Sequence, residues 1–423
     1  MTVKKSRLSF PKKFLWGAAT SAHQVEGNTH NQWTAWELEN AKSKAAQASY
    51  HLEDLDSWEL IKAEAKDPGS YVSGTAADHY NRFEEDFDLL KKLHMNAFRF
   101  SIEWSRVEPN RGAWNVEAIE HYKAYVKALK KRDIEPIVTL FHFTIPMWFA
   151  KMGGFEKRAN TKYFVRFAEK MVRELGTTIR FVITMNEPEI YAYEGYMSGN
   201  WPPTMIHSPW RARRVLLNLA KAHNQAAKVI HGLNRRYKVS IAKNSAYFYA
   251  GDNAWLSRKS ADVLQYVQDD YFLKKVVKTC DFLGVNYYFS NRVYGYRVHN
   301  PEQRVSDMGW DLAPADIEHA LVRLHDKYHL PIIVTENGLA DSQDTDRQWW
   351  ITQTLIGMQK AINQGVRLEG YLHWSLLDNF EWDKGTWPRF GLFAIDYATQ
   401  QRTPRPSAVW FAKIIKHLRD TAV

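Results

Sequence analysis

The stretch FVITMNEP, from Phe181 to Pro188, shows the pattern that sets the fold of this chain. Its first part, Phe181–Met185, is short, mainly apolar and not alternating, as expected of a strand buried on both faces. An amide and a carboxylate follow directly after it. The sequence therefore predicts a buried strand that ends at Asn186 and Glu187.

Seven other short apolar runs share this pattern along the chain. They are Phe14–Ala19, Ala97–Ile102, Glu135–Leu140, Val239–Ala242, Phe282–Tyr287, Ile332–Thr335 and Gly370–Trp374. Amphipathic stretches lie between them, and in one of these Phe164, Phe167 and Met171 recur at helical spacing. Further helices are expected at 210–235, 314–328, 345–364 and 406–418. Strands that alternate with helices in this way predict an α/β fold, a (β/α)8 barrel that forms a single domain over residues 1–423.

The alternative arrangement is an open, doubly wound parallel sheet. Such a sheet commonly carries a glycine-rich phosphate loop after its first strand. Here Gln24, Glu26 and Trp33 occupy that place, which favours the barrel. We expect a long loop around 40–75 with a small helix at 54–66.

Polar side chains follow most of the predicted strands. In a barrel of this type, the carboxyl ends of the strands form the face that carries the active site. The residues expected there are Arg99, Glu103, Trp104, Phe141, His142, Asn186, Glu187, Asn286, Tyr287, Tyr288, Glu336, Asn337, Gly338, Trp374, Glu381 and Trp382.

Two of these residues, Glu187 and Glu336, suggest acid/base chemistry on a neutral polar substrate. Cleavage of a glycosidic bond needs one protonated and one ionised carboxyl. Arg99 lies within an apolar strand and needs an anionic partner, for which Glu336 is the candidate. With Arg99 and Tyr288 nearby, Glu336 is expected to be the ionised nucleophile and Glu187 the acid/base, while Asn186 could bind a sugar 2-hydroxyl. A carboxyl separation of about 5–5.5 Å would give retention of configuration and about 6.5–9.5 Å inversion.

Composition excludes some classes of protein and leaves others open. The formal net charge is +10, but the basic residues are spread among 47 acidic ones, which favours a solvated surface over a nucleic-acid site. The single cysteine, Cys280, allows no intramolecular disulfide and is expected to be buried. The sequence shows no signal peptide, no apolar span of membrane length and no cluster of metal ligands. We therefore expect a cytoplasmic protein that needs no metal or cofactor and has no membrane or nucleic-acid partner.

The chain resembles glycoside hydrolase family 1, the β-glucosidase and β-galactosidase group, over nearly its whole length. The motifs that carry the resemblance are FLWGAATSAHQVEG (14–27), FRFSI (98–102), TMNEP (184–188), NYY (286–288), VTENG (334–338), WSLLDNFEW (374–382) and RFG (389–391).

This resemblance implies a (β/α)8 barrel and a retaining β-glycosidase acting on terminal β-D-glucosyl and also β-D-galactosyl or fucosyl residues. It implies that Glu187 is the acid/base and Glu336 the nucleophile, supported by Arg99, Asn286 and Tyr288. The positions that match substrate-binding residues of the family are Gln24, His142, Asn186, Trp310, Trp374, Glu381, Trp382 and Phe390. Among these, Trp374 would form the platform under the sugar and Trp310 would lie at the entrance.

Alternative functions remain open at this stage. Members of the family that prefer 6-phosphorylated sugars carry Ser in place of Glu381, and a carboxylate there would repel a phosphate, although Lys384 and Arg389 are near in sequence. A catalytically inactive sugar-binding barrel is a second alternative, and transglycosylation by the same intermediate is a third. The preferred sugar, the leaving group, the oligomeric state and the thermal stability are not determined by the sequence.

Overall fold

Eight short parallel strands close into a barrel in the computed structural model, which describes residues 8–300 and 304–422. The first strand pairs with both the second and the eighth, so the sheet has no free edge and the open-sheet alternative is excluded. All eight predicted strands are confirmed to within a few residues. Their bounds are Leu15–Ala19, Ala97–Ser101, Glu135–Thr139, Phe181–Asn186, Lys238–Asn244, Leu283–Asn286, Ile332–Asn337 and Leu368–Trp374.

Helices surround the barrel and fill the connections between its strands. The predicted helix with Phe164, Phe167 and Met171 is present as Thr161–Leu175, and these three side chains are fully buried. The helices predicted at 210–235, 314–328, 345–364 and 406–418 are also confirmed. The α-helices are Ala22–Val25, Gln32–Leu52, Trp58–Ala65, His79–Lys92, Trp104–Val107, Val116–Lys131, Met147–Lys151, Thr161–Leu175, Pro188–Tyr196, Pro209–Leu233, Trp255–Gln265, Tyr271–Val276, Ile317–Tyr328, Arg347–Asn363 and Pro406–Asp420.

The expectation of a long loop around 40–75 is only partly confirmed. The segment around 40–75 is mainly helical: Gln32–Leu52 has 21 residues, and the small helix expected at 54–66 follows it as Trp58–Ala65. The segment around 245–275 contains the strand Tyr247–Ala250 and a helix from Trp255 to Val276, interrupted by a π-helical turn at Tyr266–Asp270. Both segments lie beyond the carboxyl ends of barrel strands, so they build walls around the catalytic face of the barrel.

Shorter strands lie outside the barrel. Tyr247–Ala250 pairs with Ser290–Tyr294, which in turn pairs with Arg297–Val298. Phe393–Ile395 and Arg402–Pro404 form a two-stranded antiparallel sheet after the eighth barrel strand. The region around 290–310 therefore contributes two strands to a small sheet.

The core has two parts. Side chains inside the barrel, among them Ile137, Ile183 and Leu372, pack against one another below the catalytic face. A larger apolar layer joins the outer surface of the strands to the surrounding helices. Cys280 is buried and unpaired, as predicted, and burial raises the pKa of its thiol to about 12. Within the described residues, no helix has both the length and the apolar character that a membrane span requires.

Candidate active site

Glu187 and Glu336 line one cavity at the carboxyl ends of the barrel strands. Glu187 follows the fourth strand, Phe181–Asn186, and Glu336 lies near the end of the seventh, Ile332–Asn337. The cavity has a volume of about 340 Å³. Both residues are buried, at 7% and 4% exposure, and this burial disfavours the charged form of each carboxyl.

Glu336 is held by two side chains, one on each carboxyl oxygen. Arg99 Nη1 donates to Oε1 at 2.5 Å, and the Tyr288 hydroxyl donates to Oε2 at 2.8 Å. Glu336 is thus the carboxylate that the buried Arg99 was expected to need. Burial raises the pKa of Glu336, while the charge of Arg99 and the hydrogen bond from Tyr288 act in the opposite direction and favour the ionised form.

Arg99 also forms hydrogen bonds that extend the network to Asn186 and His142. Arg99 Nη2 donates to Asn186 Oδ1 at 2.7 Å, and Asn186 Nδ2 lies 3.1 Å from His142 Nε2. Burial and the charge of Arg99 hold the pKa of His142 well below its usual value, so its imidazole is neutral. With Nε2 accepting from Asn186, the hydrogen is carried by Nδ1, which has no protein partner among the described residues. The Nδ1–H of His142 is therefore a buried donor without a protein partner in the part of the chain that the structure describes.

Glu187 has a different environment from Glu336. Its Oε1 accepts from Asn286 Nδ2 at 2.7 Å and from Asn244 Nδ2 at 3.2 Å, and no cation pairs with it within the described part of the chain. Burial raises the pKa of Glu187 to about 8, and the nearby charge of Glu336 contributes in the same direction. At neutral pH Glu187 is therefore protonated, which is the form that a general acid needs.

Asn286 lies close to both carboxyls. The resemblance implied that Asn286 supports the nucleophile, and its amide also donates to Glu187 and to Asn186 Oδ1, at 2.7 and 3.0 Å. It also lowers the pKa of Glu336. Asn286 thus lies between the two carboxyls and interacts with both.

A third buried carboxyl, Glu381, marks the far end of the cavity. Its Oε2 accepts from Asn379 Nδ2 at 2.7 Å and from Gln24 Nε2 at 3.3 Å. Burial raises the pKa of Glu381 to about 8, and Asn379 partly offsets this effect. Two amide donors on one oxygen leave the other oxygen available to a hydroxyl-rich ligand.

Aromatic rings form the walls of the cavity. The ring of His142 stacks against Trp374 and Trp382, with centroids 5.9 and 6.0 Å apart. Trp310 and Phe390 lie 6.1 Å apart on the side of Tyr288. The residues predicted from the sequence that line this one cavity are Gln24, His142, Asn186, Glu187, Tyr288, Trp310, Glu336, Trp374, Glu381, Trp382 and Phe390.

Several residues of the site were missed by the sequence analysis. Asn244 lines the cavity at the end of the fifth strand, and Asn379 supports Glu381 without lining the cavity. Trp201, Asp383 and Lys384 complete the wall beyond Trp382. Asn244 could have been found from its place after an apolar run, as Asn186 and Asn286 were. Among residues 8–300 and 304–422, no group of three or more His, Cys, Asp or Glu side chains is arranged to hold a metal ion.

Comparison with known proteins gives a consistent picture. The model of Glycosyl hydrolase family 1 matches residues 6–282 and 249–419. A 6-phospho-beta-galactosidase from Clostridium acetobutylicum is 30% identical, over 96% of this chain and 97% of the relative. Beta-glucosidase A from Thermotoga maritima is 29% identical, over 99% of each chain. Among solved structures, a beta-glycosidase from Pyrococcus horikoshii superposes with a TM-score of 0.85 at 34% identity, over 98% of this chain and 96% of that one.

Proposed function

The chain belongs to Glycosyl hydrolase family 1 and is a glycoside hydrolase, and on that premise we propose that it is a retaining β-glycosidase with Glu187 as acid/base and Glu336 as nucleophile. The observation that carries this proposal is the contrast between two carboxyls in one cavity. Glu336 is paired with Arg99, whereas Glu187 has amide neighbours and a pKa of about 8. Pairs of carboxyls whose environments differ in this way divide the acid and base roles between them.

In the first step, Glu187 gives its proton to the glycosidic oxygen while a carboxylate oxygen of Glu336 bonds to the anomeric carbon. The bond to the leaving group breaks, and a covalent glycosyl ester of Glu336 forms. In the second step, ionised Glu187 takes a proton from water, whose oxygen attacks the anomeric carbon and releases Glu336. Two inversions give a product with the configuration of the substrate.

The reversal of the role of Glu187 follows from the charges around it. The negative charge of Glu336 helps to keep the pKa of Glu187 high in the free enzyme. Once Glu336 is esterified that charge is gone, so the pKa of Glu187 falls and it can act as a base. Arg99 remains bonded to Asn186 Oδ1 through Nη2, which holds the sugar-facing amide in place during both steps.

The remaining side chains of the cavity are proposed to bind the terminal sugar. Glu381 and Gln24 would share hydroxyls on neighbouring carbons, His142 would donate to another, and Asn186 would bind the 2-hydroxyl. Trp374 would form the platform, Trp382 and Phe390 the walls, and Trp310 the entrance for the leaving group. A hydroxyl missing from the substrate would leave one of these buried polar groups unpaired, which is the basis for selecting glucosyl, and also galactosyl or fucosyl, residues.

A second candidate function, cleavage of 6-phospho-β-glycosides, is favoured by one local observation. Lys384 lines the cavity beside Glu381, and its Nζ lies 2.7 Å from Asp383 Oδ2, which Lys44 also approaches to 3.3 Å. Because the pKa of Glu381 is about 8, its carboxyl is neutral at pH 7 and repels a phosphate less than the sequence suggested. Asp383, however, pairs with both lysines and offsets one of their two charges. The unphosphorylated sugar therefore remains our proposal.

Other expectations from the sequence are kept as proposals. We propose one domain over residues 1–423 and a cytoplasmic enzyme without a cofactor, whose substrate is a β-glycoside or a short oligosaccharide. An inactive sugar-binding barrel is disfavoured because both carboxyls line the same cavity.

A panel of p-nitrophenyl β-glycosides, with and without a 6-phosphate, tests this function when the released anomer is followed by NMR. We expect the unphosphorylated glucoside to be cleaved faster and the β-anomer to appear first. Faster cleavage of the 6-phosphate would establish the second candidate, and an α-anomer as first product would refute retention.

A further inference from the structure

The orientation of the Asn244 amide is fixed from outside the cavity. Asn244 ends the fifth barrel strand, and its Nδ2 donates to Glu187 Oε1 at 3.2 Å. At its other end, Gln268 Nε2 donates to Asn244 Oδ1 at 3.0 Å and to the Asn244 backbone oxygen at 3.1 Å. Since an amide has one accepting and one donating end, a donor held on Oδ1 turns Nδ2 toward Glu187.

Gln268 belongs to the π-helical turn Tyr266–Asp270. Turns of this kind inside α-helices are rare and are frequently found at functional sites. The next residue, Asp269, ties the turn to the barrel: it accepts from Ser245 Oγ at 3.0 Å and from Gln265 Nε2 at 2.8 Å, and it is paired with Arg323. The turn is therefore anchored to the barrel directly after Gln268.

The orientation of the Asn244 amide determines which oxygen of the Glu187 carboxyl carries the proton. Asn286 and Asn244 both donate to Oε1 of Glu187, so Oε1 is occupied as an acceptor. The proton of the carboxyl is then carried by Oε2, because a proton on Oε1 would meet two N–H donors. Only one orientation of the Asn244 amide gives this arrangement.

We propose that Gln268 is a positioning residue for the acid/base: it fixes the Asn244 amide so that Glu187 carries its transferable proton on Oε2. This inference rests on the proposed role of Glu187. Gln268 is not among the residues that line the cavity, so it acts through Asn244 and not by touching the substrate.

The groups that face Glu187 determine whether its pKa rises or falls when the Asn244 donor is lost. Glu336 lies across the cavity, and Glu189 lies behind Asn244, where its Oε1 accepts from Lys243 Nζ at 2.7 Å and from the Asn244 backbone N–H at 3.0 Å. Glu336 and Glu189 raise the pKa of Glu187, whereas the hydrogen bonds from Asn286 and Asn244 lower it. Loss of the fixed Asn244 donor therefore raises the pKa of Glu187 further.

The test uses Gln268→Leu and Gln268→Glu in the full-length enzyme. The alkaline limb of kcat/KM for p-nitrophenyl β-glucoside should move up by about 0.5–1 pH unit in Gln268→Leu, the effect of one hydrogen bond. The carboxylate introduced by Gln268→Glu repels Asn244 Oδ1 and turns the amide over, so its shift should be larger and in the same direction. With 2,4-dinitrophenyl β-glucoside, which needs no acid, kcat should fall about threefold to tenfold, because hydrolysis of the ester still needs a correctly oriented Glu187 as base.

Gln359→Leu is the matched control, because Gln359 lies in the helix Arg347–Asn363, where it accepts from the Ser9 backbone and donates to Asn363, and it contacts neither Asn244 nor the π-helical turn. It should lower the melting temperature and leave the alkaline limb in place. A double-mutant cycle completes the test: in an Asn244→Ala background, Gln268→Leu should cause no further shift.

Two results would overturn the inference. The first is a folded Gln268→Leu or Gln268→Glu enzyme whose alkaline limb and kcat equal those of the wild type. The second is that Gln268→Leu shifts the alkaline limb as much in the Asn244→Ala background as in the wild type. Failure of the proposed function is seen separately, because the wild-type enzyme would then not cleave β-glycosides or Glu187→Gln would retain the alkaline limb.

Discussion

Arg99 and Glu336 form an ion pair with 2.5 Å between Nη1 and Oε1, and neither side chain is more than 5% exposed. The two residues come from the second and seventh barrel strands, so the pair spans the barrel. A buried charge without a partner is strongly unfavourable, so each residue stabilises the ionised form of the other. This pair makes Glu336, and not Glu187, the available nucleophile.

Replacement of Arg99 by Met should therefore damage catalysis in a defined way. The pKa of Glu336 should rise, so the acidic limb of kcat/KM should move to higher pH, and kcat/KM at neutral pH should fall at least about 100-fold. Arg99→Lys keeps the charge but not the second hydrogen bond, to Asn186. Its kcat/KM should therefore lie between those of the wild type and Arg99→Met. Steady-state kinetics from pH 4 to 9 gives the answer, and an unshifted acidic limb in a folded Arg99→Met enzyme would argue against the role of the pair.

The pKa of Glu187 predicts the alkaline side of the pH profile. Glu187 must be protonated for the first step, so kcat/KM should fall as the pH rises through about 8. In Glu187→Ala, substrates with very good leaving groups should still form the glycosyl ester, while its hydrolysis becomes slow. Pre-steady-state release of dinitrophenol should show a full burst followed by a slow phase. The absence of a burst would mean that Glu187 is needed for more than proton transfer.

Glu381 predicts a pH dependence of stability. Its pKa is about 8 in the folded protein, compared with an ordinary value of 4.5. Between these values the folded state holds a proton that the unfolded state releases, so stability is highest at low pH and falls as the pH rises toward 8. Glu381→Gln removes this titration and should gain up to a few kcal/mol over the wild type at pH 9, with little gain at pH 5.

Melting temperatures of the wild type and Glu381→Gln at these two pH values provide the measurement. Glu59→Gln, at an exposed position in the helix Trp58–Ala65, serves as the control. Equal gains at pH 5 and pH 9 would show that the effect of Glu381→Gln does not come from titration.

The sequence predicted the strands well because each barrel strand is a short apolar run followed by polar residues. The long helix Gln32–Leu52 was missed for a physical reason: it buries the small residues Ala41, Ala45 and Ala48 beyond its two tryptophans. Small side chains at helical spacing give a weak hydrophobic pattern, although they pack closely enough to order the segment.

Asn244 was missed because a charge precedes it. The apolar run Val239–Ala242 stops before Lys243, and a charged residue commonly marks the end of a strand, but here Lys243 is buried and paired with Glu189. The double contact of Asn286 with Asn186 and Glu187 depends on distances between separate strands, and sequence patterns do not contain that information.

The most direct test of the central claim, that Glu336 forms the bond to the sugar, is trapping with 2,4-dinitrophenyl 2-deoxy-2-fluoro-β-glucoside. Fluorine at C2 destabilises the positively charged transition states of both steps, and the dinitrophenolate leaving group restores the first, so the ester should accumulate. After proteolysis, mass spectrometry should locate one fluoroglucosyl group on Glu336, and Glu336→Ala should carry none. An adduct on another residue, or turnover that persists in Glu336→Ala, would contradict the assignment.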